Sequence, residues 1–238
     1  MRQARTERST LCVTIDSHVQ RQIRDSTFWE AYLPRRYSVL FYTLLLMLIA
    51  IPIAATIGIP QGAMKLLLGL CLLAAVLPNG TRRTRYVLIA AILLLILVRY
   101  ASEGGYFPVA SGLVLGLYGL IGLLAAAGTL HFAVSSDRVD SEIVYAALST
   151  YLLAGLFFGQ IYWSIEQAWP GSLTGPDPVS DSTAVYYSFV TLATLGYGDY
   201  LPRSDLARGI ATFEVIGGQL FLAVMVARLI GAFGTTKS

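Results

Sequence analysis

From Phe107 to Leu130 the chain runs 24 residues without a lysine, arginine, aspartate or glutamate, and from Tyr37 to Ile59 it does so for 23. A helix that faces water on one side carries an apolar stripe and a polar one, whereas these segments are apolar all round. Roughly 20 such residues suffice to cross a bilayer. The whole chain of 238 residues is 55% hydrophobic and only 13% charged, against about 25% charged in soluble domains. A large soluble catalytic domain is therefore excluded. The formal charge of +3 is too small to imply nucleic acid, so the position of each arginine matters more than the total. Cys12 and Cys71 are the two cysteines, too few and too differently placed for a disulfide framework or a metal cluster.

Six spans are predicted, at Tyr37–Ile59, Gly62–Pro78, Tyr86–Ser102, Phe107–Val134, Val139–Trp163 and Leu206–Phe233, the second and third being the shortest. Lysine and arginine gather on the cytoplasmic side of membrane proteins. The tail before the first span holds Arg2, Arg5, Arg8, Arg21, Arg24, Arg35 and Arg36, so it is expected inside. An even number of spans then brings the other terminus inside as well. The first 30 residues are too polar for a secretory signal. Asn79-Gly80-Thr81 matches the glycosylation acceptor pattern but hugs a helix end on the expected inner side, and it is read as a coincidence. The expected organisation is a cytoplasmic tail (1–36), a four-helix peripheral membrane domain (37–134) and a further domain (135–238).

Between the fifth and sixth spans lie 42 residues, Ser164 to Asp205, far more than neighbouring helices need. Turn-forming residues, Pro170-Gly171 and Gly175-Pro176-Asp177-Pro178, open this connection. Ser180 or Asp181 then offers an N-cap. The following Ser182–Ala193 spells a helix of 12 residues, about 18 Å long, enough to dip halfway into a bilayer and not to cross it. The chain must return as Thr194-Leu195-Gly196-Tyr197-Gly198-Asp199. Non-helical backbone at that depth survives only where protein shields it or where it lines a wet cavity.

Thr191-Leu192-Ala193-Thr194-Leu195-Gly196-Tyr197-Gly198-Asp199 resembles the TxxTxGYGD signature of the potassium channel superfamily, over a pore module extending from about Val139 to Phe233. Alternating glycines permit left-handed dihedrals closed to most residues, and four such strands around an axis replace the water shell of K⁺ with carbonyl oxygens. The resemblance implies that K⁺, as permeant ion and not as cofactor, is bound at Thr194, Leu195, Gly196 and Tyr197, within a filter ending at Gly198. It implies filter support from Asp199, Tyr186, Tyr187 and Thr191, with Tyr186 and Tyr187 expected to bond to Tyr197 and Asp199. It also implies a gating hinge at Gly218 or Gly217 in the inner helix. Leu195 stands where valine is commonest, Ala193 where threonine is frequent, and Val190 where some members carry glutamate, so blocker affinity and inactivation do not transfer.

The remaining polar features have plainer readings. Glu214, an acid inside the last span, is a functional candidate by default, but it is read as hydrogen-bonded to the pore helix of its own subunit. Arg208 and Arg228 snorkel, Arg99 and Glu103 form a surface pair, and His131 is a satisfied interface histidine. Gly112, Gly116, Gly119 and Gly122 form a small-residue stripe of the kind that packs helices closely in membranes.

The expected protein is an all-α membrane protein: six transmembrane helices, a re-entrant pore helix and a filter loop, assembled as a homotetramer because one loop cannot surround an ion. Its partners are K⁺, the lipid bilayer and its own copies, with no nucleic acid. It is expected in the cell membrane with both termini cytoplasmic, and it is not expected to be an enzyme. The alternatives are a K⁺ transporter, which usually carries four degenerate pore loops in one chain, and a non-conducting adaptor or sensor subunit that retains a pore loop. With the sequence ending at Ser238, no large cytoplasmic ligand-binding domain is expected. Voltage gating is expected to be weak, since a sensor needs several charges in the field at about 2.3 kcal/mol per charge per 100 mV and the fourth span has none.

Overall fold

The structure, a computed structural model, describes residues 35–57, 111–135 and 140–234. The second and third expected spans, the amino-terminal tail, both cysteines, Asn79–Thr81 and the Arg99–Glu103 pair lie outside the described residues. The chain divides into a unit of residues 1–36 and a unit of residues 37–238, and the elements below belong to the second apart from Arg36 itself.

The described residues are mostly helical: α1 (Arg36–Ile57), α2 (Ser111–Ser135), α3 (Ser141–Ala168), α4 (Asp181–Leu192) and α5 (Asp205–Gly234), with a two-stranded sheet of β1 (Leu173–Thr174) and β2 (Leu201–Pro202). Three of these helices, α2, α3 and α5, are long and apolar enough to cross a membrane. The two strands correct the all-helical expectation. They pair antiparallel, Leu173 opposite Pro202 and Thr174 opposite Leu201, and Arg203 donates its N–H to the Ser172 carbonyl at 2.7 Å. This clasp ties the segment entering α4 to the segment that follows the loop 193–199.

At the N-terminus of α1, where backbone donors have no helical partner, the Tyr37 N–H goes to Glu142 of α3 at 3.0 Å and the Ser38 hydroxyl to the same carboxylate. A carboxylate there also suits the positive end of the helix dipole. Tyr37 stacks on Phe132 of α2 at 4.7 Å between ring centres, so buried side chains of α1, α2 and α3 share one core.

The glycine stripe of α2 faces α3. A methyl group on Gly122 would fall 2.1 Å from the Phe157 ring, one on Gly119 2.7 Å from the Ile161 side chain, and one on Gly116 2.8 Å from the Ser164 hydroxyl oxygen. The stripe is a packing face, as the spacing suggested. Two polar pairs lie in this contact: the Ser164 hydroxyl donates to the Gly112 carbonyl at 2.7 Å, and Thr129 and Thr150 share a hydrogen bond of 2.7 Å.

Asp140 caps α3 by accepting the Ile143 N–H at 3.0 Å. The helix does not stop at Trp163 as expected but continues to Ala168. Ser164–Ala168 holds no helix breaker, and Pro170 supplies the stop by disfavouring helical dihedrals in the residue before it. Beyond the end, Glu166 accepts the N–H groups of Gly171 and Leu173 at 2.8 and 2.9 Å, which folds the turn back onto the helix.

Candidate functional site

The short helix α4 occupies Asp181–Leu192, 12 residues, one residue earlier than the sequence suggested. Ser180 is its N-cap, with a reciprocal pair: the Thr183 N–H donates to the Ser180 hydroxyl oxygen at 3.2 Å, and the Ser180 N–H to the Thr183 hydroxyl oxygen at 2.6 Å. Gln160 of α3 donates to Asp181 at 2.7 Å, which anchors that end to α3. Gly155 and Gly159 let α4 sit directly on α3, since methyl groups there would meet Phe189 at 2.4 Å and the Val185 backbone at 2.6 Å.

At the other end the chain turns so that three of the last helical carbonyls find partners. The N–H groups of Ala193, Thr194 and Leu195 donate to the carbonyls of Phe189, Thr191 and Val190 at 3.0, 3.0 and 2.9 Å. The loop that follows has an alternating backbone: φ is +57° at Thr194, +61° at Gly196 and +75° at Gly198, while Leu195 and Tyr197 have ordinary negative values. Glycine enters the left-handed region freely. Threonine, being β-branched, is a genuine outlier there, at a cost of order 1–3 kcal/mol that persists only where the surroundings over-determine the conformation. Here the Thr194 N–H is bound to Thr191, and its hydroxyl oxygen accepts from Gln219 of α5 at 3.5 Å.

Residues Ala193 through Asp199 are all exposed in the single chain, Tyr197 by 66%. Beyond the last glycine of the loop the Tyr186 hydroxyl donates to Asp199 at 2.8 Å, and the other Asp199 oxygen accepts the Tyr200 N–H at 3.0 Å. That hydrogen bond to the carboxylate pushes the Tyr186 phenol up to about 12, so it stays a donor through the neutral range. Tyr187 is buried instead, edge-on to Tyr162 at 4.8 Å between ring centres, one helical turn before Thr191. The two tyrosines therefore take different partners. Within its own chain the Tyr197 hydroxyl meets neither of them.

The inner-helix glycines also differ. A methyl group on Gly218 would lie 2.8 Å from both the carbonyl oxygen and the Cδ1 of Leu192, whereas one on Gly217 would meet nothing within 4 Å. Glu214, 1% exposed, reaches Tyr162 of α3 and Ser188 of α4. Sequence reasoning placed it against α4 but named neither partner. It missed Gln219 altogether; a lone amide in an apolar helix about one turn past Glu214 was the available signal. Arg208 is exposed, 3.9 Å from Asp205 near the start of α5.

Residues 147–234, which contain most of α3 and all of α4, the loop and α5, match a family described as "Ion channel". The chain is 34% identical over 87 residues to the inward rectifier potassium channel Kirbac3.1 of Paramagnetospirillum magnetotacticum, an alignment covering 35% of this chain and 27% of that protein. The chain thus spans about a quarter of the length of the curated relative it matches. No solved structure matches it significantly. Over this segment, from α3 through the Thr194–Asp199 loop to α5, the protein resembles the pore module of the potassium channel superfamily.

Proposed function

We propose that this integral membrane protein is a K⁺-selective channel in which four copies surround one passive pore. The observation that carries the reading is the alternation of left-handed backbone at Thr194, Gly196 and Gly198 immediately after a half-length, capped helix. Reversing the hand at every second residue turns successive peptide units so that their carbonyls line one side of the strand. Four strands then offer rings of oxygens that substitute for the hydration shell of K⁺. Thr194, Leu195, Gly196 and Tyr197 supply the ligands, and Gly198 and Asp199 finish the filter on the outer side. The carboxyl end of α4, with its partial negative charge, faces the ion on the inner side. The Tyr186–Asp199 bond, with Tyr187 and Thr191 on α4, supports the loop from behind, and the hinge is assigned to Gly217 or Gly218.

Assembly has independent support in α5. Phe213, Ile216, Leu220, Val224 and Ile230 are 50 to 69% exposed in the single chain, an apolar surface that neighbouring copies cover while leaving one face to the pore. We assign six spans, both termini inside the cell, and a plasma-membrane location. A mass measurement in mild detergent should give four chains per particle, and recordings from the same preparation should show conductance that varies only weakly with voltage, because α2 carries no lysine or arginine. A monomer that conducts would sink the assembly, and a steep voltage dependence would show that the peripheral helices contain a sensor.

A further inference from the structure

The carboxyl group of Glu214 sits between three helices, a third of the way along α5, and nothing in the conduction of K⁺ described above uses it. Its Oε2 accepts from the Tyr162 hydroxyl of α3 at 2.7 Å, and its Oε1 lies 2.5 Å from the Ser188 Oγ of α4. The same Ser188 Oγ lies 2.8 Å from the Gly155 carbonyl oxygen of α3. A serine hydroxyl owns one hydrogen. If Glu214 were ionised, both neighbours of Ser188 would be acceptors only, and one of the two contacts would press oxygen against oxygen with no hydrogen between them. With a proton on Oε1 every contact closes: Glu214 donates to Ser188, Ser188 donates to Gly155, and Tyr162 donates to Oε2.

The surroundings favour the same state. The titratable groups facing Glu214 are Tyr162 and Tyr151 from α3 and Tyr187 from α4, all hydroxyls and none a cation. The other charged residues of the packed helices stand toward their ends: Glu142 and Glu166 on α3, Asp181 on α4, Asp205, Arg208 and Arg228 on α5. A carboxylate at membrane depth without a cation carries a heavy desolvation cost, and protonation removes it.

We infer that Glu214 is held as a neutral acid whose hydrogen is donated to Ser188, making it a positioning residue that fastens the filter-bearing α4 to α3 and α5. Raising the pH until this acid ionises removes the donor, leaves Ser188 between two acceptors and loosens α4. The loss of conduction that follows rests on the channel reading; the protonation state does not.

The test is infrared difference spectroscopy of the full chain in lipid, wild type against Glu214→Gln. At neutral pH the wild type should show the carbonyl band of a carboxylic acid that the variant lacks, and strongly alkaline solution should convert it to carboxylate bands. Ser188→Ala, which removes the acceptor, should move the acid band to higher frequency, and this comparison stands even if Glu214→Gln does not assemble. K⁺ efflux from liposomes carrying the wild type should fall about five- to thirtyfold, the effect of one or two kcal/mol, over the pH range in which the band disappears. Glu214→Gln keeps an N–H for Ser188 and has no proton to lose, so it should conduct across that range. Absence of an acid band at neutral pH would overturn the inference, as would alkaline loss of conduction in Glu214→Gln equal to that in the wild type. An acid band without K⁺ conduction in any variant would contradict the channel reading and leave the protonation state supported.

Discussion

Gly196→Ala is expected to abolish K⁺ conduction. Gly196 has φ of +61° with open space around it in the single chain, so the penalty is conformational and not steric. An L-residue held in the left-handed region costs roughly 1–2 kcal/mol. In the proposed assembly of four copies this comes to about 4–8 kcal/mol, comparable with the whole stability of many domains, about 5–15 kcal/mol. Thr194 already bears such strain, and it does so with its N–H bound to Thr191 and its hydroxyl oxygen within reach of Gln219. A methyl group at position 196 brings no new hydrogen bond to offset the cost. The control is Gly209→Ala, an exposed helical position with nothing within 4 Å, where alanine should stabilise by up to about 1 kcal/mol. Liposome efflux and the heat stability of the tetramer read both variants, and wild-type conduction by Gly196→Ala would show that the loop does not need left-handed backbone at that position.

Gly218→Ala should be nearly as damaging, for a different reason. Its methyl group would lie 2.8 Å from the Leu192 carbonyl oxygen, a backbone atom at the end of α4 that has no rotamer to escape into. Either α5 or α4 must shift, at an overpacking cost of about 1–3 kcal/mol per subunit, and the shift arrives where the filter loop begins. Gly217→Ala, with nothing in reach, should gain up to about 1 kcal/mol from helix propensity. The two variants separate contact from hinge. A contact at Gly218 lowers the melting temperature and the selectivity of Gly218→Ala alone, whereas bending at position 217 appears as altered open probability in Gly217→Ala with a melting temperature that does not fall. Equal heat stability of Gly218→Ala and the wild type would remove the packing role.

The parts of this architecture legible from sequence are those set by local chemistry. Ser180 before a 12-residue apolar segment marked a cap and a half-length helix, and the structure has both, displaced by one residue. Long apolar runs marked α2, α3 and α5, free of charge through all of α2 and over 143–165 of α3 and broken in α5 by Glu214, because hydrocarbon depth tolerates little else. What escaped depends on partners distant in sequence. The β1–β2 clasp joins residues 173–174 to 201–202, segments too short to show any period. The last turn of α3 hangs on Glu166, whose carboxylate satisfies the backbone beyond the helix, and no pattern within Ser164–Ala168 announces that.

Among the candidate site residues, Asp199 and Tyr186 meet, but Tyr187 turns inward to Tyr162. Adjacent positions on a helix point about 100° apart, so a neighbouring pair cannot serve the same strand equally. Glu214 was visible as an anomaly, yet its partners lie 26 and 52 positions away. The stripe of glycines on α2 was legible as a packing face because its spacing is helical. The contact at Gly218 was not, because a glycine prized for bending and a glycine prized for closeness look alike in a sequence.

The central claim is that Thr194 to Gly198 from four chains selects K⁺ over Na⁺. It is tested most directly by the reversal potential of single channels of the purified protein in bilayers with K⁺ on one side and Na⁺ on the other. The account predicts reversal near the K⁺ equilibrium potential, with Tyr197→Asp, which removes an aromatic strut of the filter, moving it toward zero. Reversal near zero in the wild type, equal permeability to both ions, would contradict it.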